Sequence, residues 1–132
     1  MKKYEILSFP EFVDERGTLV PFEFDTLPFL PQRVYLVTAT EGSTRGGHAH
    51  VVEEEIFLAT SGSVTLVVND GSGDQEIVLD TQAKGVLVRT GCWHELQNFS
   101  SDAVVLALSS TKYLPGEGNY MTDKEEFLAR SS

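Results

Sequence analysis

The sequence predicts an all-β domain with one short helix at its C-terminal end, and three observations carry that reading. Short runs rich in β-branched residues recur with turn residues between them. No run before the tail has the length or period of an amphipathic helix. Across the 132 residues there is no linker, low-complexity tract or internal repeat, so 1–132 reads as a single domain. In chain order, Phe9-Pro10, Val20-Pro21, Leu27-Pro28 and Leu30-Pro31 break up the first thirty residues. Extended loop is expected there, with one or two short edge strands, for example Leu19 to Phe24, in an arm available to pair with a second subunit. Strands follow at 33–38, 55–60 and 63–68, and Ser61-Gly62 is the tip of the hairpin joining the last two, since glycine accepts positive φ without a Cβ clash. Asn69 to Asp74 forms a longer polar hairpin loop, followed by strands at 76–79, 85–89 and 103–108. Only the tail reads as helical, because Thr122-Asp123-Lys124-Glu125 has capping-box spacing before Phe127 and Leu128. Strands spaced this regularly, with no helical interludes, make a sandwich or a barrel.

Composition narrows the function classes. At 41% hydrophobic and 23% charged the chain is ordinary for a globular protein and long enough to bury a core without disulfides. Its formal charge of −10 disfavours nucleic acid as a partner. No apolar run approaches the ~20 residues that span a bilayer, and the N-terminus has no signal-peptide pattern, so a soluble cytoplasmic protein is expected. Cys92 is the single cysteine and reads as a small buried apolar residue, with no neighbouring cation to make it a reactive thiolate.

The three histidines are the informative feature. They lie in Gly46-Gly47-His48-Ala49-His50 and Gly91-Cys92-Trp93-His94. On a strand His48 and His50 share a face. Glu55 follows five residues after His50, and Glu53-Glu54-Glu55 reads as a solvated run with at most Glu55 turned inward. Three imidazoles and a carboxylate suit a first-row divalent ion, with His48, His50, Glu55 and His94 as its ligands; the same imidazoles suit acid–base catalysis. The residues alone leave both open.

The string Gly42-x5-His48-x-His50-x4-Glu55-x6-Gly62, with His94-x3-Asn98 later in the chain, resembles the two signature motifs of the cupin superfamily. That likeness implies a small antiparallel jelly-roll barrel with these side chains converging inside it. A narrower resemblance covers residues 4 to 121. Arg33-Val34-Tyr35, Thr44-Arg45-Gly46-Gly47-His48-Ala49-His50, Ser61-Gly62-Ser63-Val64 and Trp93-His94-Glu95 are similar to the dTDP-4-oxo-6-deoxyglucose 3,4-ketoisomerases, the WxcM-like cupins. The resemblance implies a homodimer with exchanged N-terminal strands, a dTDP-sugar substrate, and no metal or other cofactor. His48 would be the base, His50 its partner in proton transfer, and Tyr35 and Arg45 would orient the sugar and the diphosphate. At Glu55 the resemblance leads one to expect Gln, whereas a carboxylate is what a metal-binding cupin places there.

The chemistry matches these residue types. The C3 hydrogen of a 4-oxo sugar lies next to a carbonyl, so its transfer needs a base working near neutrality and donors for the developing oxyanion. Arg33, Arg45 and Arg89 are the cations near the motifs, and arginine pairs two phosphate oxygens at once. Arg33, Arg89, Trp93 and His94 are accordingly expected to contact substrate, with Trp93 walling the pocket or stacking on the thymine. Three other readings share the barrel: a metal-dependent cupin acting on another small molecule, a nucleotide-sugar 3,5-epimerase, and a sugar-nucleotide binding barrel without catalysis.

Overall fold

The computed structural model describes residues 2–115 and 117–131. Along the chain run β1 (Tyr4–Ser8), β2 (Phe12–Asp14), β3 (Gly17–Leu19), β4 (Arg33–Val37), β5 (Arg45–His50), β6 (Glu55–Ser61), β7 (Val64–Asn69), β8 (Asp74–Leu79), β9 (Lys84–Val88), β10 (Trp93–Gln97), β11 (Val104–Ser109), β12 (Tyr120–Met121) and helix α1 (Lys124–Ser131). Two five-stranded antiparallel sheets, β1-β9-β6-β11-β4 and β12-β5-β10-β7-β8, face each other, and β2-β3 is a separate hairpin. This is the antiparallel barrel with a short C-terminal helix that the sequence predicts.

Alternation builds the interior. In register, Val105, Ala107 and Ser109 of β11 oppose Val37, Tyr35 and Arg33 of β4, so all six point to one side. Phe57, Ala59, Leu66, Val68, Val86, Val88, Leu96, Val105 and Ala107 form the apolar part of the interior, each large side chain contributing roughly 1.5–3 kcal/mol by burial. The opposite parity serves the outside. Ile56, Leu87 and Leu108 are covered by Leu7, Phe9, Leu27 and Phe29 of the N-terminal arm, while Ala49 and Trp93 lie under Phe127 of α1 and Met121. Gly62, at φ +64°, closes the β6–β7 turn where a Cβ would stand 2.8 Å from the Ala103 Cα.

Three local expectations are corrected. The strand expected at Leu19 to Phe24 ends at Leu19 and pairs with Phe12–Asp14 as a hairpin; Pro21, which has no backbone N–H, stops it, and Phe24–Thr26 is a single 3-10 turn. The helix cap is Asp123 rather than Thr122: the Glu126 backbone N–H donates to Asp123 Oδ1 at 3.1 Å. Finally, Glu53 does not belong to a solvated run, since it is 4% exposed and Glu55 1%. None of the described helices is long and apolar enough to cross a membrane.

Candidate active site

The polar end of the barrel is made by β4, β5, β6, β10 and β12. Between Glu95 and His94 the β10–β5 register shifts, so that His94 pairs with His48 and Glu95 with Gly46, leaving Gly47 as a bulged extra residue. Gly46 and Gly47 take φ +82° and +76°, conformations that L side chains adopt at a cost. Past the bulge the alternation is reset. His48 and His50 point inward while Ala49 packs outward against Trp93.

The two imidazoles stack, with ring centroids 4.7 Å apart and planes at 23°. His94 meets them edge-on, 4.8 Å from His48 and 5.0 Å from His50. Tyr120 does the same from another side, at 5.2 and 5.0 Å. Below them is Glu55, whose Oε2 accepts the Tyr35 hydroxyl and whose Oε1 lies 3.2 Å from His50 Nδ1 and 3.7 Å from His94 Nε2 without a hydrogen bond. Beside Glu55, Glu53 accepts Arg33 Nη2 at 2.6 Å and the Ser109 hydroxyl. The Arg33 guanidinium sits over the rings of Tyr35 and Tyr113, 5.1 and 5.6 Å from their centroids.

Burial decides the protonation of this cluster. Loss of hydration pushes Glu55 up to about 8, partly opposed by the hydrogen bond from Tyr35, and drives the Tyr35 phenol well above its ordinary value. The same loss lowers His48 and His50, the latter pressed further by its imidazole neighbours, and brings His94 down to about 3. His94 Nδ1 lies 3.2 Å from the Cys92 carbonyl, an acceptor, so the ring carries its proton there and presents a bare Nε2. That Nε2 lies toward Glu55 Oε1 at 3.7 Å, beyond hydrogen-bond distance. The same burial thus favours the neutral forms of Glu55 and the imidazoles beside the Arg33–Glu53 ion pair.

The structure brings together Tyr35, His48, His50, Glu55 and His94, as expected, and adds Arg33 in a different guise. Its Nη2 is engaged by Glu53, while its Nε is buried without a hydrogen-bond partner. Arg45 is exposed and pairs in register with Leu96, hence on the face of His48 and His94. Two expected contacts are elsewhere. Arg89 lies on the outer face with Leu87, where it binds Glu5 Oε2 at 2.9 Å and the Lys2 carbonyl at 3.1 Å. Trp93 is 3% exposed beneath α1, its indole N–H donating to Glu95, because residues 93 and 94 alternate and His94 takes the inner position. Cys92 is fully buried, its thiol pushed up to about 12, as an inert core residue should be. Sequence reading missed Glu53, Ser109, Tyr113 and Tyr120. The spacing of Glu53 from Glu55 is the period of a strand and was the one usable signal.

As a donor set for a first-row divalent ion, the three imidazoles each bring a nitrogen within 4.8 Å of the others, and the unbonded Glu55 Oε1 adjoins them. The residues fit such an ion in type and spacing.

The family model described as FdtA, WxcM-like, C-terminal, matches residues 2–132. The chain belongs to this family. A TDP-4-oxo-6-deoxy-alpha-D-glucose-3,4-oxoisomerase from Aneurinibacillus thermoaerophilus is 37% identical over 125 residues, 93% of this chain and 88% of that one. Among solved structures, a 3,4-ketoisomerase from Helicobacter canadensis superposes with TM-score 0.89 at 34% identity, covering 99% and 98% of the two chains. A TDP-quinovose 3,4-ketoisomerase from Campylobacter jejuni gives 0.87 at 33%, covering 98% and 99%. The WxcM-like barrel thus extends over the whole described chain, hairpin and tail included.

Proposed function

We propose that this WxcM-like protein is a dTDP-4-oxo-6-deoxyglucose 3,4-ketoisomerase. The observation that carries the reading is the stacked His48–His50 pair, flanked by His94 and opening at the polar end of the barrel; membership of the family and the activities of its relatives support it. Isomerisation moves two hydrogens and no net charge. A base removes the C3 proton, the C–H electron pair becomes the C3–C4 double bond, and O4 takes up a proton. A proton then returns to C4 as the O3 hydrogen leaves, and the ketone stands on C3. His48, half-buried and lowered by desolvation, is unprotonated at neutral pH and acts as the base. His50 at its side hands protons to and from the sugar oxygens, with Glu55, whose Oε2 accepts the Tyr35 hydroxyl, beneath it. Arg45, exposed on the same face, faces the diphosphate. The 3-oxo product suits an aminotransferase making a 3-amino-3,6-dideoxy sugar.

The test is a proton NMR time course of dTDP-4-oxo-6-deoxyglucose in D₂O. Migration of the ketone to C3 with deuterium entering C4 is the expected result, and His48→Asn should slow it at least ~10²-fold, the usual worth of a positioned base. Exchange at C3 and C5 with the ketone still on C4 would make the protein a 3,5-epimerase instead. Binding of the sugar nucleotide without exchange would make it a non-catalytic barrel. The unbonded Glu55 Oε1 favours one further reading, in which His48, His50, Glu55 and His94 hold a divalent ion that polarises the carbonyl. Our reading is metal-independent: protein dialysed against chelator should turn over undiminished, and activity regained only on adding metal would overturn it. The protein is further proposed to act as a homodimer through its N-terminal arm. Because β1 pairs with β9 of its own chain, the β2-β3 hairpin is the part left to exchange.

A further inference from the structure

Tyr120 is delivered to the site by a built arrangement. Strand β12 adds to the edge of β5 with Tyr120 opposite His50 and Met121 opposite Ala49. Neighbouring residues on a strand point to opposite faces, so the pair divides its work. Met121 goes outward to the cluster of Ala49, Trp93 and Phe127, which ties down the tail, and Tyr120 goes inward onto the imidazoles. The Val51 N–H donating to the Asn119 carbonyl at 3.1 Å fixes the approach. The Tyr120 ring stands near-perpendicular to His48 and His50, at 71° and 82°, and is only partly buried.

We infer that the Tyr120 ring is the wall against which the hexose of a bound nucleotide sugar packs, a positioning contact that rests on the ketoisomerase reading and recognises the sugar rather than the nucleotide. The argument is one of distance. A base must approach the hydrogen it removes with reacting atoms about 3–3.5 Å apart. With the His48 ring centre 5.2 Å from that of Tyr120, a hexose that meets His48 on its Tyr120 side is also in van der Waals reach of Tyr120. A 6-deoxyhexose offers its C–H bonds and methyl group to a flat ring. Such packing is worth about 1 kcal/mol beyond buried area, or about fivefold to tenfold in affinity.

The experiment compares two ligands by calorimetry, dTDP and the unreactive dTDP-glucose, on the wild type, Tyr120→Phe, Tyr120→Ala and Tyr120→Leu. Tyr120→Ala and Tyr120→Leu should weaken dTDP-glucose about tenfold and leave dTDP within about twofold, and Tyr120→Phe should keep both within about threefold. Equal losses for the two ligands, or none for dTDP-glucose, would overturn the inference. Emission from Trp93, the single tryptophan, reports whether the tail stays docked, and Tyr120→Leu keeps apolar bulk should the alanine loosen it. A wild-type chain that moves no ketone in the NMR assay would sink the ketoisomerase reading separately, because this test reads a ratio of affinities and no turnover.

Discussion

Glu55 shows how one buried residue sets the pH behaviour of the protein. Burial pushes it up to about 8 in the folded chain, against an ordinary 4.5. Between those values the native state binds a proton that the unfolded chain has released, so its contribution is fully present below 4.5 and is lost as pH rises through 8. His48, His50 and His94 act in the other direction. Their folded values lie below 6.5, so the unfolded chain gains protons in acid that the native site refuses, and stability falls as pH drops below 6.5. Stability should therefore peak near 6.5 and decline toward 8 by up to about 1.4 kcal/mol per pH unit, the slope of one proton. Glu55→Gln removes that proton from the balance. Urea unfolding at stepped pH should show the alkaline decline vanish in the variant while the acid limb persists; parallel curves above 6.5 would mean that Glu55 is ionised in the native protein.

The element that aims the histidines is the β5 bulge, and its two glycines are not equivalent. A Cβ on Gly46 would stand 3.1 Å from the His94 carbonyl oxygen and 3.6 Å from the Glu95 Cα, both backbone atoms, whereas one on Gly47 meets nothing within 4 Å. Both substitutions carry the left-handed penalty of about 1 kcal/mol, and Gly46→Ala adds displacement of β10. It should cost roughly 2–3 kcal/mol in unfolding free energy against about 1 for Gly47→Ala; equal costs would place the strain in φ alone. This bulge also marks where the sequence stopped being readable. The strands of the body were legible because runs such as Val64 to Val68 alternate against a buried core, and His48 with His50 was legible because a spacing of two puts them on one face. At Trp93 the same rule needed a starting parity, which local sequence does not supply, and of the two residues expected to face substrate His94 took the inner position and Trp93 the outer one. Arg89 failed in the same way, one residue after the last core valine of β9. Glu53 was missed because its burial depends on Arg33 and Ser109 from two distant strands, and Tyr120 because the pairing of β12 with β5 joins residues seventy apart in the chain.

At the scale of the whole molecule the unexplained quantity is apolar surface. Phe12, Val13 and Leu19 of the hairpin are 63, 69 and 60% exposed, and Val34 and Leu36 on the outer face of β4 are 52 and 64% exposed. The strand β4 is the edge of its sheet, with β11 as its one neighbour among the described strands. A chain with a formal charge of −10 repels its copies at long range, so association has to come from short-range burial that outweighs this repulsion, most easily at the salt concentrations that screen it. The hairpin and the β4 face are two surfaces able to supply it, and one placed on the other in both copies would give a closed twofold contact. Sedimentation equilibrium should return twice the 14.6 kDa chain mass. Leu19→Glu with Leu36→Glu, which touch neither the barrel interior nor the imidazoles, should give a folded monomer at about 10 μM, the contact losing several kcal/mol from two charges buried without partners. A wild-type mass of one chain would refute the dimer, and a doubly substituted protein that stays dimeric would move the interface off the hairpin and β4.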